Sequence, residues 1–261
     1  QPNAMGGREV GGMANQLAAH LDLDEQGCEI AGSFWQAPNM VTRQGRKAVD
    51  MFADIESGKI KAIWIMATNP AVSLPNSEAI SKALERCPLV VVSDVTHTDT
   101  TALADVLLPA CGWGEKNGTV TNSERYLSRQ RAVVSAPAEA RADWKIICEV
   151  ATALGYGEAF SYQDVSEVFA EHARLSGYRN EGGRLFNISE LGQINREDYD
   201  QLAPQQWPQQ RPFATGQFQT LDGKANFISV ENKTNTLANR QDSLVTLNTG
   251  RIRDQWHTII S

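Results

Sequence analysis

Two nearly continuous apolar segments that flank a helical segment constrain the fold of this chain most strongly. The apolar segments are residues 61–67 and 88–93, and residues 76–86 between them begin with a polar cap and have the pattern of a helix. Uninterrupted apolar runs are typical of strands in a parallel sheet, which is covered on both faces. Strand, helix and strand within about 30 residues predict a βαβ unit, and a third apolar run follows at residues 104–109.

Apolar residues that recur three and four positions apart predict further helices. These helices span residues 10–20, 46–57 and 142–154. We interpret the polar residues 118–126 as an irregular segment. The first part of the chain is therefore predicted to have an α/β fold with a parallel, Rossmann-like sheet.

The composition changes after the α/β region. Residues 180–210 are rich in Gln, Asn, Gly, Arg and Pro, so we interpret them as a linker. Residues 216–230 and 243–248 follow, and in the latter apolar and polar positions alternate as in a half-buried strand. The predicted regions are an α/β domain at 1–180, a linker at 181–215 and the start of a β-rich domain at 216–261.

Charge and cysteine content exclude several classes of protein. The net charge is −7, from 24 Lys and Arg against 31 Asp and Glu, and no basic cluster stands out, so we expect no nucleic acid partner. No apolar run approaches the ~20 residues of a membrane span, and we expect no membrane partner. The four thiols lie too far apart in the sequence for a metal site of closely paired cysteines. Such sparse thiols are typical of a protein in a reducing compartment, so we expect a cytoplasmic location. The four cysteines are Cys28, Cys87, Cys111 and Cys148.

Polar side chains follow the ends of the two predicted parallel strands, where open α/β sheets bind ligands. Asn69 follows the first strand, and Ser93 and Asp94 end the second. Hydroxyl and amide groups can hold phosphate or ribose oxygens, and a carboxylate can accept hydrogen bonds from a guanine edge or a ribose diol. The same residues also occur in ordinary turns and helix caps, so both roles stay open. Four hydroxyl side chains follow Asp94, namely Thr96, Thr98, Thr100 and Thr101.

A glycine-rich Gly-x-Gly-x-x-Gly motif follows neither strand, which disfavours a standard NAD site. Residues 93–110, with the sequence SDVTHTDTTALADVLLPA, instead resemble a signature stretch of molybdopterin oxidoreductases. Four more blocks resemble this family in the same order: GWGEKNGTVTNSER at 112–125, ARADW at 140–144, TLDGKANF at 220–227 and TGRIRDQWHT at 249–258.

Within the family, the chain most resembles cytoplasmic assimilatory nitrate reductases. The resemblance rests on Arg8-Glu9-Val10-Gly11-Gly12 and on residues 253–258, and it is weakest at 156–211. It implies a piece of the C-terminal half of an enzyme that reduces nitrate to nitrite, and both ends of the chain resemble cuts. It also implies that the β-rich region begins a barrel. The electron donor would be ferredoxin or an NADH-linked reductase.

The resemblance further implies a molybdenum bis(molybdopterin guanine dinucleotide) cofactor, bound in part by the domain at 1–180. Lys116 and Arg251 would neutralise the diphosphate, and either Asp94 or Asp143 would recognise guanine. The implied cofactor-binding residues are Asn69, Ser93, Asp94, Lys116, Asp143, Thr249, Gly250, Arg251, Trp256, His257 and Thr258.

The family also implies an iron–sulfur cluster and a cysteine ligand to molybdenum, both upstream of this stretch. No cysteine here lies in a matching motif, so we expect no catalytic or metal-binding residue in the chain and no nitrate reduction by the isolated chain.

Alternative interpretations remain open at this stage. Lys116 alone would suit a solvated surface, Asp143 a helix N-terminus and His257 either a pterin contact or support of its loop. The parent enzyme could be a formate dehydrogenase or another oxyanion reductase, or the chain could belong to a non-catalytic scaffold subunit. The presence of Lys116, Asp143 and residues 249–258 argues against the scaffold.

Overall fold

A computed structural model describes residues 3–220 and 222–230 of the chain. The described residues divide into two units, 3–210 and 211–230. The helices are α1 (Ala4–Glu9), α2 (Glu25–Trp35), α3 (Ala48–Glu56), α4 (Pro70–Ser73), α5 (Ser77–Arg86), α6 (Asp143–Ala153), α7 (Val165–Gly177) and α8 (Arg196–Gln201). The strands are β1 (Ile63–Met66), β2 (Val90–Asp94), β3 (Val106–Pro109), β4 (Gly118–Thr121), β5 (Tyr126–Gln130) and β6 (Gln205–Gln206).

The predicted βαβ unit is confirmed. Strands β1, β2 and β3 form a parallel sheet in that order, with Ile63 opposite Val90 and Val91 opposite Val106, and α5 connects the first two strands. Apolar side chains of α3 and α5 pack with those of β1 and β2 in one core, whose members include Phe52, Leu84 and several strand residues. All three parallel strands therefore end at one edge of the sheet.

Residues 118–126, predicted to be irregular, form most of a β-hairpin instead. Strands β4 and β5 pair antiparallel, and β6 adds to β5. The Asn122 side chain accepts hydrogen bonds from the backbone N–H groups of Glu124 and Tyr126, both at 3.0 Å. Arg125 takes the left-handed conformation with a φ of 64°. An asparagine-centred turn thus replaces the glycine signal that usually marks a hairpin.

The helix predicted at residues 10–20 is wrong, whereas α3 and α6 confirm the helices predicted at 46–57 and 142–154. Helix α1 ends at Glu9, and Gly11 follows with a φ of 71°. A Cβ on Gly11 would lie 2.5 Å from the backbone nitrogen of Ala18. The backbone therefore turns back at a position that glycine accommodates. Only a 3-10 turn, Ala18–His20, forms within the predicted helix.

The motif that contains Glu9 is anchored inside the first unit. Glu9 is buried, Thr121 Oγ1 contacts its Oε2 at 2.8 Å and Trp207 Nε1 donates to its Oε1 at 2.6 Å. Burial raises the pKa of Glu9, and the two hydrogen bonds oppose that shift. The carboxyl group therefore joins α1 to β4 and to the segment after β6.

Residues 181–210 form part of the first unit and differ from the expected linker. Phe186, Ile188, Tyr199 and Trp207 are buried in a second core together with residues of α2 and α7. The average polarity of this segment conceals a few widely spaced apolar residues that pack on those helices. The boundary between the two units therefore lies after residue 210 and not near residue 180.

The described residues of the second unit, 211–220 and 222–230, contain turns and no helix or strand. The described part of the β-rich domain predicted at 216–261 therefore contains no strand. The strand predicted at 243–248 and the loop at 249–258 lie outside the described residues, and the barrel stays a prediction. Among the helices that the structure describes, none is long and apolar enough to span a membrane.

Candidate functional site

Two cavities lie at the carboxyl ends of β2 and β3, where the sequence predicted a ligand site. The first cavity, of about 280 Å³, is lined by residues that include Thr96, His97 and Thr101. The second, of about 290 Å³, is lined by residues that include Gly112, Glu115 and residues 137–140. Asp94, Val95 and Pro109 line both cavities. The cavities are therefore two parts of one crevice, which meet at Asp94.

Asp94 is half-buried at the end of β2 and faces this crevice. Its Oδ1 accepts a hydrogen bond from the backbone N–H of Val95 at 2.7 Å. Its Oδ2 has no hydrogen-bond partner among the residues that the structure describes. The carboxylate is thus oriented by the backbone and keeps one oxygen available to a ligand that donates hydrogen bonds.

Ser93 is adjacent to Asp94 but has a structural position. It is completely buried, and its hydroxyl accepts a hydrogen bond from Trp64 Nε1 at 2.8 Å. Its carbonyl accepts from the backbone N–H of Ala67 at 2.9 Å. Both polar groups of Ser93 therefore hold β1 against β2, and its hydroxyl does not line either cavity.

Asn69 connects the loop after β1 to the loop after β2. Its Oδ1 accepts hydrogen bonds from the backbone nitrogen of Thr100 at 3.2 Å and from Thr100 Oγ1 at 2.6 Å. Ala67, two residues before Asn69, has a φ of 52°, a conformation that non-glycine residues rarely adopt. The tight bend after β1 brings Asn69 beside the threonine-rich loop.

Two of the four threonines that the sequence suggested as ligand contacts bond within their own loop. Thr98 and Thr101 form a reciprocal pair, with Thr98 N to Thr101 Oγ1 at 2.7 Å and Thr101 N to Thr98 Oγ1 at 3.2 Å. Thr100 is buried, and Thr96 is the exposed member. The hydroxyl groups therefore shape this wall of the first cavity more than they offer free ligand contacts.

Lys116 and Asp143 form an ion pair beside the second cavity. Their side chains are 25% and 31% exposed. Lys116 directly follows Glu115, which lines the cavity, and Asp143 begins α6. Arg141 pairs with the edge of β3 through Arg141 N to Pro109 O at 3.0 Å, which places the start of α6 at this edge. A partly exposed pair contributes about 1 kcal/mol or less, so a diphosphate can replace Asp143 as partner of the lysine at small cost.

Cys111 lies between these elements and is buried. Burial raises the pKa of its thiol, and the negative charge of Glu115 raises it further. The thiol is therefore protonated near neutral pH. In the part of the chain that the structure describes, no group of three or more His, Cys, Asp or Glu residues could hold a metal ion.

The predicted site residues thus have different positions. Asp94 faces the crevice, Asn69 stands at the end of the neighbouring strand, and Lys116 and Asp143 pair beside the second cavity. The remaining candidates, Thr249, Gly250, Arg251, Trp256, His257 and Thr258, lie outside the described residues. Sequence reasoning missed residues 137–140, although the proline and small residues just before α6 indicate a loop close to the sheet edge.

Comparisons with known proteins agree with the resemblance. The family model "Molybdopterin oxidoreductase" matches residues 3–153. A nitrate reductase of Klebsiella oxytoca is 49% identical over 99% of this chain and 30% of that protein. The assimilatory nitrate reductase catalytic subunit of Bacillus subtilis is 38% identical over 66% of this chain and 24% of that protein.

An F420-dependent formate dehydrogenase subunit alpha of Methanocaldococcus jannaschii is also similar, with 37% identity over 67% of this chain and 26% of that protein. The chain therefore spans less than a third of the length of these relatives.

A solved structure, the acetylene hydratase of Pelobacter acetylenicus, matches 67% of this chain and 23% of its own chain with a TM-score of 0.52 and 23% identity. At this identity the match supports the fold alone. The family model covers more than half of the chain, and the Klebsiella relative is similar along nearly all of it. The chain belongs to the molybdopterin oxidoreductase family.

Proposed function

We propose that the crevice at the carboxyl ends of β2 and β3 binds the guanosine diphosphate end of a molybdopterin guanine dinucleotide. The observation that carries the proposal is the pair of cavities that meet at the half-buried carboxylate of Asp94. Adjacent cavities can accept a base on one side of the carboxylate and a sugar with phosphates on the other. This position is the usual ligand crevice of an open α/β sheet.

The charges around the crevice suit this ligand. Guanine presents two donors, N1–H and the N2 amino group, which a carboxylate can accept together. Asp94 lines both cavities, whereas Asp143 lines neither of them and pairs with Lys116. We therefore assign guanine recognition to Asp94 and diphosphate neutralisation to Lys116. Asp143 would orient Lys116 until the diphosphate binds. The family resemblance assigns further cofactor contacts to residues 249–258.

The whole protein would be an oxidoreductase that reduces nitrate to nitrite and water with two electrons and two protons. The relatives named nitrate reductases support this substrate. The bound molybdenum cofactor would supply the electron transfer, and the residues of this chain would bind and orient its dinucleotide. An iron–sulfur cluster would deliver electrons from ferredoxin or an NADH-linked reductase, and the enzyme would act in the cytoplasm.

A second candidate reaction is formate oxidation. The formate dehydrogenase relative from Methanocaldococcus jannaschii favours it. Both reactions would use the same dinucleotide crevice, so the proposed role of this chain is the same in either enzyme.

Calorimetric titration of the 261-residue chain with GDP, and with ADP as the control nucleotide, tests the binding proposal. We expect GDP to bind and to raise the melting temperature, because a ligand that binds only the folded state stabilises it. Asp94→Asn replaces the acceptor by an amide and should weaken GDP binding by about tenfold or more. Asp99→Asn is the matched control, since Asp99 is exposed in the same loop and lines neither cavity.

The possible results separate the alternatives. Equal effects of GDP and ADP on the unaltered chain would refute a guanine site. If Asp143→Ala abolished the preference for GDP while Asp94→Asn preserved it, Asp143 would be the residue that recognises guanine. Loss of GDP binding in Asp99→Asn to the same degree as in Asp94→Asn would show that any charge change in this loop is sufficient, and would contradict the assignment.

A further inference from the structure

A buried hydrogen-bond chain determines which way the side-chain amide of Asn69 faces. The backbone N–H of Ala71 donates to Thr100 Oγ1 at 3.1 Å. Thr100 Oγ1 and the backbone N of Thr100 both contact Asn69 Oδ1, at 2.6 Å and 3.2 Å. Thr100 is completely buried, so water does not compete for these bonds.

The direction of each bond follows from counting donors. Because Thr100 Oγ1 accepts a hydrogen bond from Ala71, its own hydroxyl proton can donate to Asn69. The backbone N–H of Thr100 can only donate. Asn69 Oδ1 thus accepts two hydrogen bonds, one for each lone pair. The reverse amide orientation would place the Asn69 NH₂ group against the N–H of Thr100, donor against donor.

We propose that Thr100 is a positioning residue that orients the Asn69 amide so that its NH₂ group donates to an acceptor oxygen of the bound nucleotide. The inference rests on the proposed function and deepens it. Asn69 offers donors at the end of β1, while Asp94 offers an acceptor at the end of the neighbouring strand β2. Asn69 is bonded to Thr100, and the next residue, Thr101, lines the first cavity together with Asp94, so one ligand in that cavity can meet both groups. The acceptor is a phosphate or ribose oxygen.

The stability of two Asn69 variants tests the amide orientation without any ligand. Asn69→Asp keeps an oxygen for both Thr100 donors, so its melting temperature should remain within about 2 °C of the unaltered chain. Asn69→Ala leaves both buried donors without an acceptor and should lower the melting temperature by about 5 °C or more. If Asn69→Asp were as unstable as Asn69→Ala, the amide orientation would be wrong.

Ligand titrations test the outward NH₂ group. Asn69→Asp turns the outward donor into an acceptor and should weaken GDP binding by about tenfold or more. Thr100→Val removes the shorter of the two bonds to Asn69 Oδ1 but keeps the backbone N–H donor, so it should weaken GDP binding less than Asn69→Asp does. Thr100→Ser keeps both donors and should bind GDP as the unaltered chain does. Titration with guanosine, which lacks phosphate, distinguishes the two oxygen sources. If the acceptor is a ribose oxygen, Asn69→Asp weakens guanosine and GDP alike; if it is a phosphate, only GDP binding is weakened.

The failures of the two proposals are distinguishable. Absence of GDP binding by the unaltered chain contradicts the proposed function. GDP binding that is unchanged in both Asn69→Asp and Thr100→Val overturns the positioning role and leaves the proposed function intact. Weakened binding in Thr100→Val that Thr100→Ser does not restore would mean that the hydroxyl is not the group responsible, and would also overturn the inference.

Discussion

A half-buried histidine of α7, His172, makes the stability of the first unit depend on pH. His172 packs against Phe186 with ring centroids 5.3 Å apart, and its Nε2 has no hydrogen-bond partner among the described residues. Burial, together with the smaller effect of the nearby His20, lowers the pKa of His172 from 6.5 to about 4. His20 contacts the same Phe186 ring, also at 5.3 Å. The folded protein therefore favours a neutral imidazole at this position.

The sign and size of the effect follow from the two pKa values. Between about 4 and 6.5 the unfolded chain binds more protons at His172 than the folded chain does, so stability increases with pH. This contribution of His172 to stability is fully present above its unfolded pKa of 6.5 and is lost as the pH falls towards its folded pKa of about 4. At about 1.36 kcal/mol per pKa unit, it amounts to about 3 kcal/mol in full and about 2 kcal/mol between about pH 7 and about pH 5.

Urea unfolding at these two pH values measures this contribution. His172→Phe removes the titratable group and retains an aromatic ring, so its loss of stability on acidification should be about 2 kcal/mol smaller than that of the unaltered chain. Phe169→Leu is the control, because Phe169 is buried in the same helix and does not titrate. It should lower the free energy of unfolding by a similar amount at both pH values. An acid sensitivity of His172→Phe equal to that of the unaltered chain would refute the reasoning.

Two more predictions concern other parts of the molecule. The Arg129 side chain is 1% exposed, donates to the carbonyls of Tyr199 and Gln130 and stacks on the Tyr199 ring at 3.8 Å. Arg129→Met should therefore lower the free energy of unfolding, measured by urea titration, by about 3 kcal/mol. A loss below about 0.5 kcal/mol would contradict this role. The purified chain with a viologen donor should form no nitrite, since the family resemblance places the iron–sulfur motif and the cysteine ligand of molybdenum upstream of this stretch. Nitrite formation above a heat-denatured control would show that the chain contains more of the reaction centre than we propose.

The parallel sheet and the family could be predicted from the sequence because both depend on local patterns. Continuous apolar runs at 61–67 and 88–93 allow few structures besides buried strands, and the structure confirms them as β1 and β2. The five ordered blocks likewise identified the family that the comparisons show. Helices α2 and α7 were not predicted, although each begins with an aspartate cap, Asp24 accepting from Gly27 and Asp164 from Ser166. Those caps are a signal that could have revealed them.

The interpretation of 181–210 as a linker shows the limit of composition. The segment is polar on average, yet Phe186 and Tyr199 are almost completely buried. Their burial depends on the surface of α7 and on that of α2, which lies about 150 residues earlier in the sequence. Average polarity describes how much of a segment faces water, whereas a few anchoring side chains determine whether it packs.

The polar site residues show the same division between sequence and tertiary structure. The sequence alone located Ser93, Asp94 and Asn69 at the ends of adjacent strands, because strand ends follow from the apolar pattern. Only the tertiary structure determined that Ser93 bonds to Trp64, 29 positions away, and that Asn69 bonds to Thr100, 31 positions away. A hydroxyl or amide group pairs with whatever donor or acceptor the fold places within about 3 Å, and that neighbour is not encoded in the local pattern.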